Sequence, residues 1–457
     1  MNYKYLLVII TILITHISCD DFLEVDDPKG QIPSTTIFNN ELTAQAALLS
    51  LYSDLRNSSS VSGSFSGNAF IYGIYSDELD YYALSNQGNY AIYLHQTVPT
   101  NTAIKELWSK DYKLIYACNA LIEGLDKSQT ISIDKRTLWK GEALFIRSLL
   151  HYNLAQSFGN IPYVTSTDYA LNSMINKTPY NEVINNVIAD LNSAKQMIAN
   201  ENISSKSRGN KHIISTLLAR IYLQKQEWQN AFIQSDEVIN SGYFTLENDL
   251  TKEFLANSTS TIFHLPSSNS NTNSVEGSIY IYEVGPPNNA ALTEDFVQSF
   301  NEQDLRKLNW VRGVFSQNKF WYMPYKYKEK NQTSPAKEHS IVFRLAELYL
   351  IKAEAAWHLN NSQTAMDALN KVRTRAELNA ISIENYNNFF EILKYERKHE
   401  LFLENGNRWF DLKRWGETNN VLSPIKPGWN IRNLLFPIPE SEILINSNLL
   451  PQNEGYN

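Results

Sequence analysis

The chain has 457 residues, a formal charge of −8 at pH 7 and a hydrophobic fraction of 43%, which excludes a disordered or fibrous class and permits one large domain or two ordinary ones. The acidic balance, with no basic stripe to offset it, excludes a nucleic-acid partner. Tyr, Phe and Trp number 26, 20 and 9 against only 17 Gly, a combination that suits a helical protein with aromatic surface to spare.

The first residues read as a targeting segment. Lys4 supplies a positive start and Leu6 to Ile14 an apolar run of signal-peptide length, too short for the roughly 20 residues that span a bilayer. The run ends at Ile17-Ser18-Cys19, followed by Asp20-Asp21, and a small residue before Cys resembles a bacterial lipobox. Residues 1–18 are therefore expected to be a signal peptide, Cys19 a lipid anchor, and residues 19–40 a tether rich in acidic residues and then in Pro, Ser and Thr. With Cys19 acylated, Cys118 has no disulfide partner, and its apolar helical setting predicts a buried small hydrophobe.

From residue 41 the chain alternates helical patterns with short breaks. Leu218-Ala219, Tyr222, Trp228 and Ala231 follow the spacing of a tetratricopeptide helix pair, in which a small residue lets two helices approach. A second pair is expected at 341–376, with a central helix from Ile341 to Trp357 and a second placing Ala365, Leu369 and Val372 on one face. Further pairs join 135–158 with 180–199 and 41–57 with 102–125. Stacked pairs bury faces that no single pair can bury, so the expected fold is an all-α tetratricopeptide-like scaffold of four units, one domain over residues 41–457. Residues 58–100 and 242–338 fit no helical pattern and are expected to be two long, irregular, loop-rich insertions, of the kind that usually carry function.

A sugar presents an apolar C–H face and a rim of hydroxyls, matched by flat aromatic rings and by Asn, Asp, Gln or Arg. Both insertions hold such mixtures. The candidate ligand-binding residues are Tyr75, Asp77 and Tyr82 in the first, and Trp310, Trp321, Tyr322 and Tyr325 in the second, with the two tryptophans favoured because polar residues surround them. Trp139, Trp228, Trp357, Trp409 and Trp415 lie in helical patterns and are expected in the core. Asp77, Glu78 and Asp80 read as a solvated acidic turn in preference to a calcium or sugar site. No catalytic residue is expected: His399-Glu400 lacks the second His of a metalloprotease motif, Leu403 standing in its place, and Gly63-Ser64-Phe65-Ser66-Gly67 has Phe65 where a nucleophile elbow needs its Ser. The eight His are scattered, so no metal and no cofactor are expected.

Several stretches resemble the RagB/SusD family. They are Cys19-Asp20-Asp21-Phe22-Leu23-Glu24, Gly141 to Arg147 with Phe158-Gly159-Asn160-Ile161-Pro162, Arg344 to Ala355, and Glu396-Arg397, Glu400-Leu401 and Glu404 followed by Arg408-Trp409-Phe410-Asp411-Leu412 and Arg414-Trp415. The alternating charges of the last set read as a buried ion network, since a carboxylate beside Arg has a lowered pKa and makes a poor general acid. The resemblance implies a lipoprotein on the outer face of the outer membrane. It would capture oligosaccharides and pass them to a TonB-dependent transporter of the SusC type. Two alternatives keep the fold: a peptide-capturing receptor, and a structural repeat scaffold that binds only protein. A glycoside hydrolase would need two carboxylates roughly 5 to 10 Å apart in a cleft.

Overall fold

The structure, a computed structural model, describes residues 37–456, so the expected signal peptide, Cys19 and most of the tether lie outside the described residues. The chain is mostly helical. The principal helices are α1 (Glu41–Asn57), α2 (Asn68–Tyr75), α3 (Gln87–Tyr93), α4 (Thr102–Lys127), α5 (Ile133–Phe158), α6 (Tyr180–Ile198), α7 (Lys211–Gln224), α8 (Trp228–Ile239), α9 (Leu305–Trp310), α10 (Leu345–His358), α11 (Ser362–Arg375), α12 (Phe389–Glu400) and α13 (Asn407–Arg414). Asn side chains start several of them. Asn40 accepts from the amide of Leu42, Asn101 from those of Ala103 and Ile104, and Asn210 from those of His212 and Ile213, which satisfies donors that the first turn leaves free.

Helix α4 packs on α1 and α5, α5 on α6, α7 on α8, α8 on α10, and α10 on α11. Ala219 and Ala231, read above as the small residues of a close pair, are fully buried on α7 and α8. Cys118 is buried on α4, and burial pushes its thiol up to about 12, so it stays protonated. Trp139 and Trp409 are core rings as expected, whereas Trp228, Trp357 and Trp415 are only half-buried. Trp228 stacks on His358 with ring centroids 3.7 Å apart.

Three expectations need correction. The central helix begins at Leu345, because Ser340–Arg344 forms a strand, β6, that pairs antiparallel with β2 (Thr261–Leu265). The first insertion contains α2, β1 (Leu79–Tyr81) and α3, and the second contains β2, β3 (Ala290–Leu292), α9, β4 (Val311–Ser316) and β5 (Lys319–Pro324), so neither is irregular throughout. The fold is therefore mostly helical with two small sheets instead of all-α. Helix α2 hid from pattern reading because it is buried on every side, so its apolar residues show no period. The β4–β5 hairpin turns through Gln317 and Asn318, both at positive φ (53° and 61°), the geometry that matches the twist of paired strands.

The larger sheet has the order β1-β3-β5-β4 and joins the two insertions, with Leu79 opposite Leu292 and Leu292 opposite Tyr322. A buried ion network holds the second insertion against the helices. Arg306 bonds Asp304 at 2.7 and 2.9 Å, Glu396 at 2.8 Å and Glu400 at 3.3 Å. Arg344 reaches Glu253 at 3.1 Å, both oxygens of Glu404 at 2.7 and 2.8 Å, and Glu400, which Arg375 also bonds. Burial pushes the Glu400 carboxyl up, but Arg375, Arg344 and Arg306 outweigh it and hold it at about 2. The same rule applies further along. Arg397 pairs with Asp411 at 2.7 and 3.0 Å, and Arg414 bridges Asp411 and Glu354.

Candidate functional site

Successive strand residues point to opposite faces of a sheet, so the register assigns side chains to sides. One face of the four-stranded sheet carries Asp80 from β1, Ala291 from β3, Trp321 and Met323 from β5, and Arg312, Val314 and Ser316 from β4. Tyr82, just past β1, meets Trp321 edge-on at 5.4 Å, and Tyr325, just past β5, lies 5.3 Å from the Arg312 guanidinium. The two insertions thus meet on this face, where Ala291, Trp321 and Met323 are buried and Arg312 and Lys319 are exposed.

Trp321 is its centre. The indole Nε1 donates to the carbonyl of Ser316 at 3.0 Å, and the Lys319 ammonium stands 3.7 Å from the ring centroid. Gly285 touches the ring so closely that a Cβ there would lie 2.2 Å from Cδ1. The Ser316 hydroxyl donates to the Gly285 carbonyl at 2.7 Å and ties that loop down. Trp321 is thereby held as a rigid wall, 7% exposed, between Tyr82, Gly285 and Lys319. Beside it the Tyr93 hydroxyl donates to Asp80 at 2.9 Å, Tyr90 stacks on Tyr93 at 6.5 Å, and the Lys426 ammonium lies 4.0 Å from the Tyr93 ring. Burial and then the nearby Asp80 push the Tyr82 hydroxyl up to about 12. Burial likewise raises Tyr93 and Tyr282, so all three remain hydroxyl donors at neutral pH. The buried Tyr282 hydroxyl finds no hydrogen-bond partner among the described residues, an unmet group beside Tyr82.

Of the residues singled out from sequence, Tyr82 and Trp321 meet here, and Tyr325 lies further along against Arg312. Tyr322 is on the opposite face, where it stacks on Phe320 at 6.1 Å and lines an open depression of about 420 Å³ with Val297, Lys307 and Leu308. Three others are corrected. Trp310 is completely buried: its indole donates to the Leu250 carbonyl at 3.0 Å, and its ring meets Phe254 and lies between the Lys326 and Arg344 cations. Of its polar sequence neighbours, Asp304 and Arg306 belong to the charge network above, whereas Arg312 is exposed on the hairpin. Tyr75 is core, stacked on His95 at 3.8 Å with its hydroxyl donating to Asn433 at 2.8 Å. Asp77 is clamped by both arms of Arg408 at 2.8 Å, with Lys398 at 3.5 Å. Burial pushes its carboxyl up, but these cations hold it far below the carboxylate range. Nor is the acidic turn solvated. Burial, reinforced by Asp77, pushes Glu78 up to about 8, and Asp80 alone reaches the site. Sequence reasoning missed Lys319 and Tyr282. Strand alternation through 319–323 would have put Lys319 on the side of Trp321; Tyr282 left no local signal.

Two family models match: residues 301–456 match the SusD family, and residues 21–223 match a family described as starch-binding associating with outer membrane. SusD-like protein P25 of Formosa agariphila is 26% identical over the full length of both chains. Among solved structures, a SusD superfamily protein from Bacteroides vulgatus superposes with a TM-score of 0.80 at 23% identity, over 92% of this chain and 100% of that one. A laminarin-binding SusD-like protein superposes at 0.77 and 20% identity, again over 92% and 100%. At such identities the superpositions establish a shared fold, while the two models supply the family signature at both ends. The chain belongs to the SusD/RagB family.

Proposed function

We propose that this chain is a non-catalytic glycan receptor of the outer membrane, anchored through Cys19, that binds oligosaccharides on the sheet face around Trp321. The observation that carries the reading is the contact of Tyr82 with Trp321, from segments more than two hundred residues apart, on a sheet face that also carries Asp80 bonded by Tyr93 and, further along, Arg312 against Tyr325. Rings cover the apolar side of a sugar, and the carboxylate, guanidinium and tyrosine hydroxyls match its rim. The laminarin-binding relative and the starch-binding family description support a glycan ligand and outer-membrane association. Residues 41–457 act as one domain, its helix pairs serving as four tetratricopeptide-like units that hold the sheet rigid. The family resemblance supports a SusC-like TonB-dependent transporter as the partner that receives the glycan.

Calorimetric titration against a panel of oligosaccharides tests the reading. Saturable binding with every glycan recovered intact is the expected result. A panel without saturable binding, or one showing time-dependent cleavage, overturns it. The anchor has its own test. Cys19→Ala should release the protein from outer membranes, since two or more acyl chains with about 0.8 kcal/mol per buried CH₂ hold stably and none does not. Retention of that variant after a salt wash contradicts the anchor.

A further inference from the structure

The hairpin that carries Trp321 is cationic in an acidic protein. Between Val311 and Lys330 there are five Lys or Arg and one Glu. Lys326 is buried against Glu404, and Glu329 is taken by Lys337. Arg312 and Lys319 are exposed, and neither meets a carboxylate within salt-bridge distance among the described residues, although most buried cations of this chain do. Instead each rests on a ring of the candidate site: Lys319 on Trp321 at 3.7 Å and Arg312 on Tyr325 at 5.3 Å.

We infer that the oligosaccharide bound here is anionic, carrying sulfate esters or uronate carboxylates that pair with Lys319 and Arg312. The inference rests on the glycan-binding reading and names the ligand class of the same site. A sugar that stacks on Trp321 displaces Lys319 from the ring. A neutral sugar offers the ammonium only hydroxyls in return, whereas an anionic substituent forms a charge-assisted bond at the ring's edge. Arg312 and Ser316, the cross-strand partner of Lys319, are four residues apart on β4, so the two cations stand roughly 13 Å apart along the strand. That separation exceeds one sugar ring, so the pair reads charges on different units of the chain. Asp80 does not oppose them: on β1 it lies three strand spacings, about 14 Å, from Arg312, and two spacings across and four residues along, about 16 Å, from Lys319, and it is bonded by Tyr93.

Three probes decide the matter: a laminarin oligosaccharide as the neutral chain, an oligogalacturonate for carboxylate, and a carrageenan oligosaccharide for sulfate. At least one charged probe should bind about tenfold tighter than the neutral one, and the preference should shrink as salt rises from about 0.05 to about 0.3 M. The double variant Lys319→Gln/Arg312→Gln should lower the charged-to-neutral affinity ratio by about tenfold. Binding of the neutral chain as tight as that of both charged ones, or an unchanged ratio in the variant, overturns this inference and leaves the glycan reading standing. Binding of none of the three overturns both.

Discussion

Trp310 precedes the β4–β5 hairpin and Trp321 lies within it; the two share polar sequence neighbours and end in different surroundings. Trp310 closes α9 beneath the network of Arg306, Arg344, Glu400 and Glu404, fully covered and with its indole N–H bonded inward. Trp321 stands on the sheet face among Tyr82, Gly285 and Lys319, its N–H bonded within its own hairpin. Charge around a ring therefore has two meanings. Where every cation is matched by a carboxylate, the ring is part of a buried joint. Where the cations are unmatched and exposed, as Lys319 is, the ring is the one proposed above to meet a ligand.

The comparison breaks most visibly at the buried joint. Trp310→Ala should cost about 3 to 5 kcal/mol of stability, seen as a large drop in melting temperature, because the emptied site cannot collapse around fixed charges. Loss of glycan affinity in this variant with an unchanged melt would return Trp310 to the binding site. Glu400→Gln should cost a similar 3 to 5 kcal/mol, since it leaves Arg344 and Arg375 buried with too little countercharge. This carboxyl is held at about 2 in the folded chain, below its ordinary 4.5. A depressed acid pKa contributes stability that is complete above about 4.5 and lost as pH falls toward 2. Denaturant melts across that window should show the loss in the parent protein and a flatter acid limb in Glu400→Gln.

On the sheet face the effects move from stability to affinity. Tyr82→Ala should weaken glycan binding by about 2 kcal/mol, some thirtyfold, because it removes one ring of the pair that meets at Trp321. Tyr82 is only half-buried, so its melting temperature should shift by much less than that of Trp310→Ala. A Tyr82→Ala protein with parental affinity would detach the site from this face. The smallest effect is expected at Trp228→Ala. Its ring covers His358 at the surface of α8 and α10, and losing such a stacked pair costs about 0.5 to 1.5 kcal/mol beyond the area it buries. A melt as damaged as that of Trp310→Ala would make Trp228 a core residue after all.

Local pattern settled the helix pair around Ala219 and Ala231, because close approach demands a small residue at a fixed spacing and the sequence displays both. It also made Cys118 a core residue and set Glu396 to Arg414 as paired charges, since apolar period and alternating sign are properties of neighbours along the chain. Which charge met which partner was another matter. Arg408 takes Asp77 from a turn more than three hundred residues earlier, and Glu400 takes Arg306 from the second insertion and Arg344 from β6. Such pairings follow from chain crossing, which no window of sequence contains. The candidate site divides the same way. Composition marked both insertions as aromatic and polar, but only the register β1-β3-β5-β4 put Tyr82 against Trp321 and turned Tyr322 to the far face, while helix packing sent Tyr75 on α2 and Trp310 on α9 inside. The physical reason is that a strand shows alternate residues to opposite sides, and which side meets solvent depends on what the rest of the chain lays over it.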